Sequence, residues 1–381
     1  MIISVAGTLP AEPRDLKSRV SILKLIHYTD HSEKAVSRRL LPKERSIIML
    51  RFGTIGTGWI TDEYIRGAKD SGLWKLAAVY SRDLARAQAY AGQHGATYAY
   101  DTVEALAQSD KIDAVYVASP NALHYAHCKA LLEAGKHVIC EKPLCAQAAK
   151  VEELNRLAAS RGLVFLEAIM FLHQPQLRSL EQALGQIGTI TLAKLDFCQR
   201  SSKLDRYLAG ELPNIFNPQL ETGALMDLGI YCVYPALYLF GKPESTQICS
   251  HLLKSGADGC GVATLRYPDK LVTLTYSKLG QAGADSEFQG TEGTVAVQSI
   301  SRLGGITLRR KDGSVEEIHG QDEKYQLMGW EAKDFYRYIT SPQETSQEYA
   351  RCVELNLEAA RLMEALRRQA GLRFASDGEG L

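Results

Sequence analysis

The sequence has no excess of charge of either sign and no long hydrophobic run. Its 381 residues contain 44 Lys and Arg against 44 Asp and Glu, so the formal net charge is zero. A balanced charge argues against nucleic acid or an anionic membrane surface as the main partner. No uninterrupted apolar run approaches the roughly 18 residues that a membrane span requires. We therefore expect no nucleic-acid partner and no membrane partner.

Cysteine is present, but not in a metal-binding or disulfide-framework pattern. No CxxC pair occurs, and most of the cysteines lie inside apolar runs. The eight are Cys128, Cys140, Cys145, Cys198, Cys232, Cys249, Cys260 and Cys352. Buried free thiols are typical of a reducing compartment, and no His, Cys and acidic residues have the spacing of metal ligands. The sequence predicts reduced thiols, a cytoplasmic location and no catalytic metal.

The first 48 residues differ from the rest of the chain. They mix charged residues and prolines with one short apolar patch at 20–26, and they lack the pattern of a cleaved signal peptide. Met49 directly precedes the first predicted strand. We expect either that Met49 is the true start or that residues 1–48 form a disordered extension.

From residue 49 to residue 168, strand-like and helix-like segments alternate. Apolar runs at 50–55, 75–80, 113–118, 137–140 and 163–168 are separated by segments with helical spacing. Short strands joined by helices imply crossover connections, so the pattern predicts a doubly wound parallel sheet covered on both faces.

After about residue 187 the pattern changes. A helix is predicted over 223–240, and strand-like segments punctuated by Gly, Pro-Asp and Asp-Gly turns follow from 245 to 318. Helical spacing returns at 330–339 and 346–369. We expect 169–381 to be an α+β domain with a large, mainly antiparallel open sheet, whose last helix packs back on the first domain.

A glycine turn stands between the first predicted strand and the first predicted helix, in the string GTIGTGWIT. Gly56 permits a tight turn, and Gly58 lets the backbone approach a pyrophosphate that rests on the free N–H groups of the helix. The third fingerprint position holds Thr61, where Gly or Ala is usual. The turn as a whole, with a plain glycine turn as the alternative, predicts dinucleotide binding by Gly56, Thr57, Gly58, Trp59 and Ile60.

The end of the second predicted strand bears on the choice of cofactor. An acidic residue there would favour NAD, but the sequence has Ser81 followed by Arg82. Ser81 removes a carboxylate that would repel a 2′-phosphate, and the planar guanidinium of Arg82 matches one. NADP is therefore favoured over NAD. The alternative is that Arg82 is solvated while Asp83 caps the next helix.

Two longer strings complete the pattern: ASPNALHYAHCKALLEAGKHVICEKPL and ETGALMDLGIYCVYPALYLFG. With the glycine turn, they resemble the glucose–fructose oxidoreductase/inositol dehydrogenase (Gfo/Idh/MocA) family from Leu50 to about Arg368. The resemblance implies a Rossmann domain, a C-terminal domain on a large open sheet, and NAD(P)-linked chemistry on hydroxyl or carbonyl carbons. It also implies a homodimer formed through that sheet, since an uncovered sheet face favours association.

The resemblance also implies a second set of cofactor contacts. It places Ser119, Pro120, Asn121 and His124 against the ribose and diphosphate, and Glu141 near the nicotinamide. It implies that the Lys142–Pro143 peptide is cis. Asn121 is expected to cap the helix that it opens, and the alternative for His124 is a surface histidine on that helix.

Three residues are the candidate catalytic groups. Lys142 follows a parallel strand at its carboxyl edge, where it can bind a substrate oxygen and carry its proton if burial lowers its pKa. Asp227 and Tyr231 are four residues apart and project from one helix face. The family usually has His at the second of these places. Tyr231 is shared with the dihydrodiol-dehydrogenase-like branch, which LEAIMFLHQP also resembles.

Several readings of these residues stay open. Tyr231 or Lys142 is the acid/base, with the cation lowering the phenol pKa and Asp227 orienting the substrate or Lys142. Alternatively, Lys142 is a surface lysine and Tyr231 a packed aromatic with a satisfied hydroxyl. We also expect His173 and Gln174 to line the substrate pocket.

The leading hypothesis is an NAD(P)-dependent dehydrogenase or reductase. It would act on a CH–OH group of a sugar, a polyol or a cyclic diol. The alternatives are a catalytically silent NAD(P)-binding regulator and a structural subunit.

Overall fold

A computed structural model describes residues 48–320 and 323–378. The expectations for the N-terminal extension, residues 1–47, lie outside the described residues. Every cysteine of the chain is described, and each one is a free thiol.

The first half of the described chain forms a six-stranded parallel sheet with helices on both faces. The strand order is β3-β2-β1-β4-β5-β6. Its strands are β1 (Leu50–Ile55), β2 (Trp74–Tyr80), β3 (Tyr98–Tyr100), β4 (Ala114–Val117), β5 (His137–Glu141) and β6 (Phe165–Ala168). Its helices are α1 (Trp59–Asp70), α2 (Leu84–His94), α3 (Val103–Gln108), α4 (Asn121–Glu133) and α5 (Ala148–Ser160). The doubly wound sheet is confirmed, although the sequence analysis missed the short elements β3 and α3.

The second half forms an eight-stranded sheet in the order β14-β13-β12-β11-β7-β10-β9-β8. Its strands are β7 (Ile190–Cys198), β8 (Ser245–Leu252), β9 (Asp258–Arg266), β10 (Leu271–Ser277), β11 (Ser286–Gly290), β12 (Gly293–Gln298), β13 (Gly305–Arg310) and β14 (Val315–His319). Its helices are α6 (Gln176–Leu184), α7 (Leu204–Leu208), α8 (Ile230–Phe240), α9 (Lys324–Thr340) and α10 (Ser346–Gln369). Only β7 and β10 pair in parallel, so the mainly antiparallel sheet is confirmed.

Helix α8 lies in the core against the second sheet. A π-helical turn, Leu225–Gly229, leads into it, and α8 packs against α10 and against β7 and β10. By length and composition the segment Pro218–Phe240 could cross a membrane, but 78% of its most apolar window is buried inside the protein. Its apolar character therefore belongs to a core helix, with residues Ile230 to Leu237 all buried.

Two helices from the end of the chain pack on the parallel sheet's own helices. Helix α9 packs on α1, where Gly67 faces Gly329 so closely that a Cβ on Gly67 would lie 2.2 Å from the carbonyl oxygen of Tyr325. Helix α10 packs on α5 and contacts β6. These contacts fix the second sheet relative to the carboxyl edge of the first.

A buried carboxyl group on β6 connects the two halves behind this edge. Glu167 is 3% exposed, and its Oε1 accepts a hydrogen bond of 2.8 Å from the backbone N–H of Leu144. Its Oε2 accepts a hydrogen bond from the hydroxyl of Tyr234 on α8. Burial raises the pKa of Glu167 to about 7 because a low-dielectric environment disfavours the charged form.

The raised pKa of Glu167 predicts how its contribution to stability varies with pH. A carboxyl group with a raised pKa contributes stability below its ordinary pKa of about 4.5, and this contribution is lost as pH rises through 7. Glu167→Gln keeps an oxygen for Leu144 and does not titrate. We expect urea unfolding to show a change in the unfolding free energy of the variant relative to the wild type. This difference should be up to about 3 kcal/mol more favourable to the variant at pH 8 than at pH 5. An equal difference at both values would contradict this assignment.

Candidate active site

The glycine turn has the geometry that a dinucleotide requires. Gly56 has a φ of +118°, and a Cβ there would lie 2.6 Å from the carbonyl oxygen of Ala118. Gly58 has no atom within 4 Å of a Cβ position, so this side of the turn is open. In the first turn of α1, the N–H groups of Thr61 and Asp62 donate to the carbonyl oxygen of Gly58. The N–H groups of Trp59 and Ile60 stand before them, where a helix offers no partner of its own, and no side chain caps this end. Thr61, the unusual third position, is fully buried.

The residues expected to determine the preference for NADP over NAD follow the end of β2. Ser81 is half-buried, with its backbone N–H bonded to the carbonyl oxygen of Tyr100, and Arg82 is exposed. The Asp83 carboxylate accepts a hydrogen bond from the N–H of Arg86 and so caps α2. The expected cap is thus present, and no acidic residue occupies the Ser81 position.

The loop after β4 is tied to two other segments. His124 is 1% exposed, with Nε2 2.7 Å from the carbonyl oxygen of Ser119 and Nδ1 2.9 Å from that of Pro143. The alternative of a surface histidine was wrong, because the buried ring contacts both the β4 loop and the segment that follows β5. Burial lowers the His124 pKa, although both carbonyl groups oppose that effect.

Asn121 does not cap α4 as expected. The capping position is Pro120, and the Asn121 amide instead donates a 3.0 Å hydrogen bond to the carbonyl oxygen of Glu221. A contact to the segment before the π-helical turn has therefore replaced the local cap.

Lys142, Asp227 and Tyr231 meet at one point. Lys142 follows β5 at the carboxyl edge of the parallel sheet, and its peptide bond to Pro143 is cis. Its Nζ donates to Asp227 Oδ1 at 2.5 Å and to the Asp227 carbonyl oxygen at 2.9 Å. The same Nζ lies 4.8 Å from the centre of the Tyr231 ring. The Tyr231 ring packs edge-on against Phe197, but among the described residues its hydroxyl has no hydrogen-bond partner, which favours the candidate role over that of a packed aromatic with a satisfied hydroxyl.

Charge sets the protonation of these three groups. Burial lowers the pKa of Lys142, but Asp227, Tyr231 and Glu141 outweigh burial and raise that pKa. Burial raises the pKa of Asp227, but Lys142 and Lys278 outweigh it and lower that pKa. Burial raises the pKa of Tyr231, and Lys142 reduces this rise without cancelling it.

Two expectations about pKa are therefore corrected. Burial does not leave Lys142 with a lowered pKa, because a carboxylate neighbour favours the charged amine. The ammonium does not bring the Tyr231 pKa below its usual value, because desolvation of the phenolate dominates. At neutral pH the site holds an ammonium, a carboxylate and a neutral phenol.

A cavity of about 350 Å³ opens over this point. The expected residues that line it are Trp59, Ile60, Ser119, Asn121, His124, Glu141, Lys142, Asp227 and Tyr231. The turn residues Gly56, Thr57 and Gly58, and the residues Ser81, Arg82 and Pro120, lie outside its lining. The cavity therefore lies at the end of the candidate site that holds Lys142, Asp227 and Tyr231.

The sequence analysis missed the basic residues that the second half of the chain brings to the site. Arg302 and Lys324 line the cavity, and the Lys324 Nζ lies 4.7 Å from the centre of the Trp59 ring. Lys278 forms an ion pair with Asp227 Oδ2. Its burial could have been predicted from the sequence. Every second residue of β10 is buried, at Val272, Leu274 and Tyr276, and residue 278 is the next position in this alternation.

His173 and Gln174 do not line this cavity. They border a separate cavity of about 380 Å³ between α6, α9 and α10, where His173 Nδ1 lies 2.9 Å from Asp334 Oδ2. The expectation that they contact substrate was wrong, because the chain turns away from the sheet edge after β6 into the short helix at Met170–Leu172.

Comparison with known protein families shows which family the chain belongs to. Residues 50–168 match the model described as "Oxidoreductase family, NAD-binding Rossmann fold", and residues 181–296 match the "GFO/IDH/MocA C-terminal domain". The chain belongs to the Gfo/Idh/MocA family. It is thus an NAD(P)-binding oxidoreductase, which confirms the resemblance and its expected fold.

Proteins similar to this chain include an inositol dehydrogenase, a dihydrodiol dehydrogenase and a 3-ketoreductase. The chain is 38% identical over 329 residues to scyllo-inositol 2-dehydrogenase (NADP(+)) IolU of Bacillus subtilis, covering 86% of this chain and 99% of that protein. It is 31% identical over 257 residues to human trans-1,2-dihydrobenzene-1,2-diol dehydrogenase, covering 65% and 73% respectively. A crystal structure of KijD10, a 3-ketoreductase from Actinomadura kijaniata, in complex with NADP and TDP-benzene, is similar with a TM-score of 0.74. This structure is 25% identical and covers 84% of this chain and 98% of that one.

The open side of Gly58 leads to a test of the turn. Gly58→Ala adds a methyl group that meets no protein atom at an allowed φ of −104°, but it fills the space where a pyrophosphate approaches. We expect the NADPH dissociation constant from calorimetry to rise at least about tenfold, with the unfolding free energy unchanged within about 0.5 kcal/mol.

Gly56→Ala is the matched comparison. Its methyl group would clash with the Ala118 carbonyl at a positive φ, so both binding and stability should fall, the latter by about 2 kcal/mol. Wild-type NADPH affinity in the Gly58 variant would show that the pyrophosphate does not lie there.

Proposed function

We propose that this protein is an NADP-dependent dehydrogenase that oxidises a secondary hydroxyl on a six-membered ring carrying neighbouring hydroxyl groups. The observation that carries the proposal is the Lys142 Nζ held between Asp227 and the Tyr231 ring at the cavity wall. The polar residues Gln199, Ser301 and Arg302 on the same wall suit a polyol. The similarity to an inositol dehydrogenase and to a dihydrodiol dehydrogenase supports this substrate class.

The cofactor would be held by the open glycine turn and by the loop after β4, whose Ser119 carbonyl contacts His124. When bound, nicotinamide accepts or donates the hydride. The residues of this chain then bind and orient the substrate oxygen: the Lys142 ammonium donates to it, and Asp227 holds the lysine in place. An ammonium at this position stabilises negative charge that develops on the oxygen.

The proton of the substrate hydroxyl needs a carrier. Tyr231 lines the cavity with Lys142, and its hydroxyl has no protein partner among the described residues. In the reducing direction the neutral phenol donates its proton to the oxygen. In the oxidising direction the phenol first releases its proton to solvent, and the phenolate then takes the proton of the substrate hydroxyl. We assign the proton step to Tyr231 and the binding of the substrate oxygen to Lys142.

Ser81 and Arg82 support NADP over NAD. Arg82 is exposed after the end of β2, where the ribose 2′ position is expected, and the carboxylate of the next residue, Asp83, caps α2. The relative IolU is NADP-dependent, and the KijD10 structure contains NADP.

A homodimer and a cytoplasmic location stay predictions. The sheet face turned away from α8 exposes Val262 and Leu271 on neighbouring strands, which is compatible with pairing through the sheet. The silent-regulator alternative is disfavoured because the lysine, carboxylate and phenol are assembled within contact of one another.

The proposed function is tested by following NADPH absorbance with a panel of inositols, sugars and trans-dihydrodiols. We expect turnover on at least one cyclic polyol, and Lys142→Met should lower kcat by about 100-fold or more while NADPH affinity is kept. Lys129→Met, which removes a surface ion pair to Glu153, is the matched control. Absence of turnover across the panel, or full activity in Lys142→Met, would refute the proposal.

The cofactor preference gives a separate prediction. Arg82→Ala removes the guanidinium expected to bind the 2′-phosphate, so the dissociation constant for NADPH should rise about ten- to a hundredfold while that for NADH stays the same. Lys75→Ala, an exposed cation at the opposite end of β2, is the control. An equal loss of affinity for NADPH and NADH would show that Arg82 does not bind the 2′-phosphate.

A further inference from the structure

Asp227 is bound by two lysines from opposite halves of the chain. Lys142 comes from the end of β5 in the parallel sheet and takes Oδ1, whereas Lys278 comes from the end of β10 in the other sheet and takes Oδ2. The cluster of two ammonium groups and one carboxylate has a net charge of +1. A Lys142–Asp227 pair alone would be neutral.

The backbone holds Lys278 firmly in this position. Its N–H donates to the carbonyl oxygen of Gly259 at 2.8 Å, and its carbonyl oxygen accepts from the N–H of Ser201 at 2.9 Å. Its side chain is 3% exposed. The amine therefore reaches Asp227 from a fixed point on the second sheet.

The hydrogen bonds of Lys142 leave one donor for the cavity. An ammonium has three N–H donors, and two of them are taken by the carboxylate Oδ1 and the carbonyl oxygen of Asp227. No acceptor among the described residues takes the third, and Lys142 lines the cavity together with Tyr231. How strongly that donor attracts an oxygen depends on how far Asp227 neutralises the ammonium.

We propose that Lys278 is a positioning residue that neutralises Asp227 from the side opposite Lys142, and so keeps the Lys142 charge available to the substrate oxygen. This role rests on the function proposed above. In the reducing direction the oxygen becomes negative as the hydride arrives at its carbon. A cluster of net charge +1 stabilises that oxygen better than a neutral ion pair does.

A purely structural brace would not need a charge here. Burying an ion pair seldom stabilises a fold more than apolar residues of similar volume do, and the neighbouring inward-facing positions of β10 are Val272, Leu274 and Tyr276. An apolar residue at 278 would continue that face. The lysine instead places a positive charge on the carboxylate that holds Lys142.

Other charged groups also face this cluster, and the test must hold them constant. The groups whose charges act on Lys142 include Asp227, Tyr231, Glu141, Glu167 and Lys324. Among the described residues, Asp258 interacts electrostatically with Lys278, as Asp227 does. Of all these, only Lys278 is changed below. Removing it takes a like charge away from Lys142, so the Lys142 amine should bind its proton more tightly.

The experiment measures the reactivity of Lys142 toward acetic anhydride at pH 9, read by peptide mass spectrometry. Only the unprotonated amine reacts. Two ammonium groups bound to the two oxygens of one carboxylate repel each other, so removal of one raises the pKa of the other. We therefore expect at least about tenfold slower labelling of Lys142 in Lys278→Met and Lys278→Gln, with the wild-type rate in Lys278→Arg.

The variants separate charge from packing. The Gln side chain keeps a hydrogen-bond donor for Asp227 but carries no charge. If circular dichroism shows that the Met variant does not fold, the Gln variant tests whether the charge of Lys278 affects the labelling of Lys142. Lys194→Met, an exposed lysine on β7 paired with Glu287, is the control and should leave the rate unchanged. Wild-type labelling of Lys142 in a folded Met or Gln variant would overturn the proposal.

The labelling needs neither substrate nor cofactor. An inactive wild type with slowed labelling in the variants would count against the proposed function alone. Turnover in the wild type with unchanged labelling would count against the role of Lys278 alone.

Discussion

The site depends on one carboxylate, that of Asp227, and on where it lies. It projects from a π-helical turn at the start of the core helix α8, and π-helical turns are frequently found at functional sites. One oxygen binds Lys142 from the parallel sheet, and the other binds Lys278 from the antiparallel sheet. Both halves of the fold therefore determine the position of the amine. The buried carboxyl group of Asp258 supports this turn, since its Oδ2 accepts a hydrogen bond of 2.7 Å from the N–H of Leu225.

Much of the fold was predictable, for physical reasons. Strands buried on both faces form nearly continuous apolar runs, so β1, β2 and β4 are readable. The strand β3 has only three residues and none is buried, so it leaves little pattern. The β9–β10 hairpin was readable from its Pro-Asp turn. The order of the second sheet was not, because pairing such as that of β7 with β10 joins segments about 80 residues apart.

Site residues that belong to a sequence motif were predictable. Those brought to the site by contacts between distant parts of the chain were not. Lys142, Asp227 and Tyr231 were identified from motifs, and they meet as expected. Lys278 stands 51 residues from Asp227, and a single lysine after a strand gives no sign of its partner. Local propensity favoured Asn121 as a cap, but its amide binds Glu221 across the site. The pKa directions were also wrong at two groups, since the balance of burial against charge requires the actual distances.

The most direct test of the account is to follow the hydride itself. A cyclic polyol carrying deuterium on the carbon of its reactive hydroxyl is incubated with NADP and the protein, and the cofactor is examined by mass spectrometry. The account predicts NADPH that carries the deuterium, and loss of this transfer in Tyr231→Phe, where the proton carrier is removed but Lys142 and Asp227 remain. NADPH without deuterium, or undiminished transfer in the Phe variant, would contradict the assignment of the chemistry to this site.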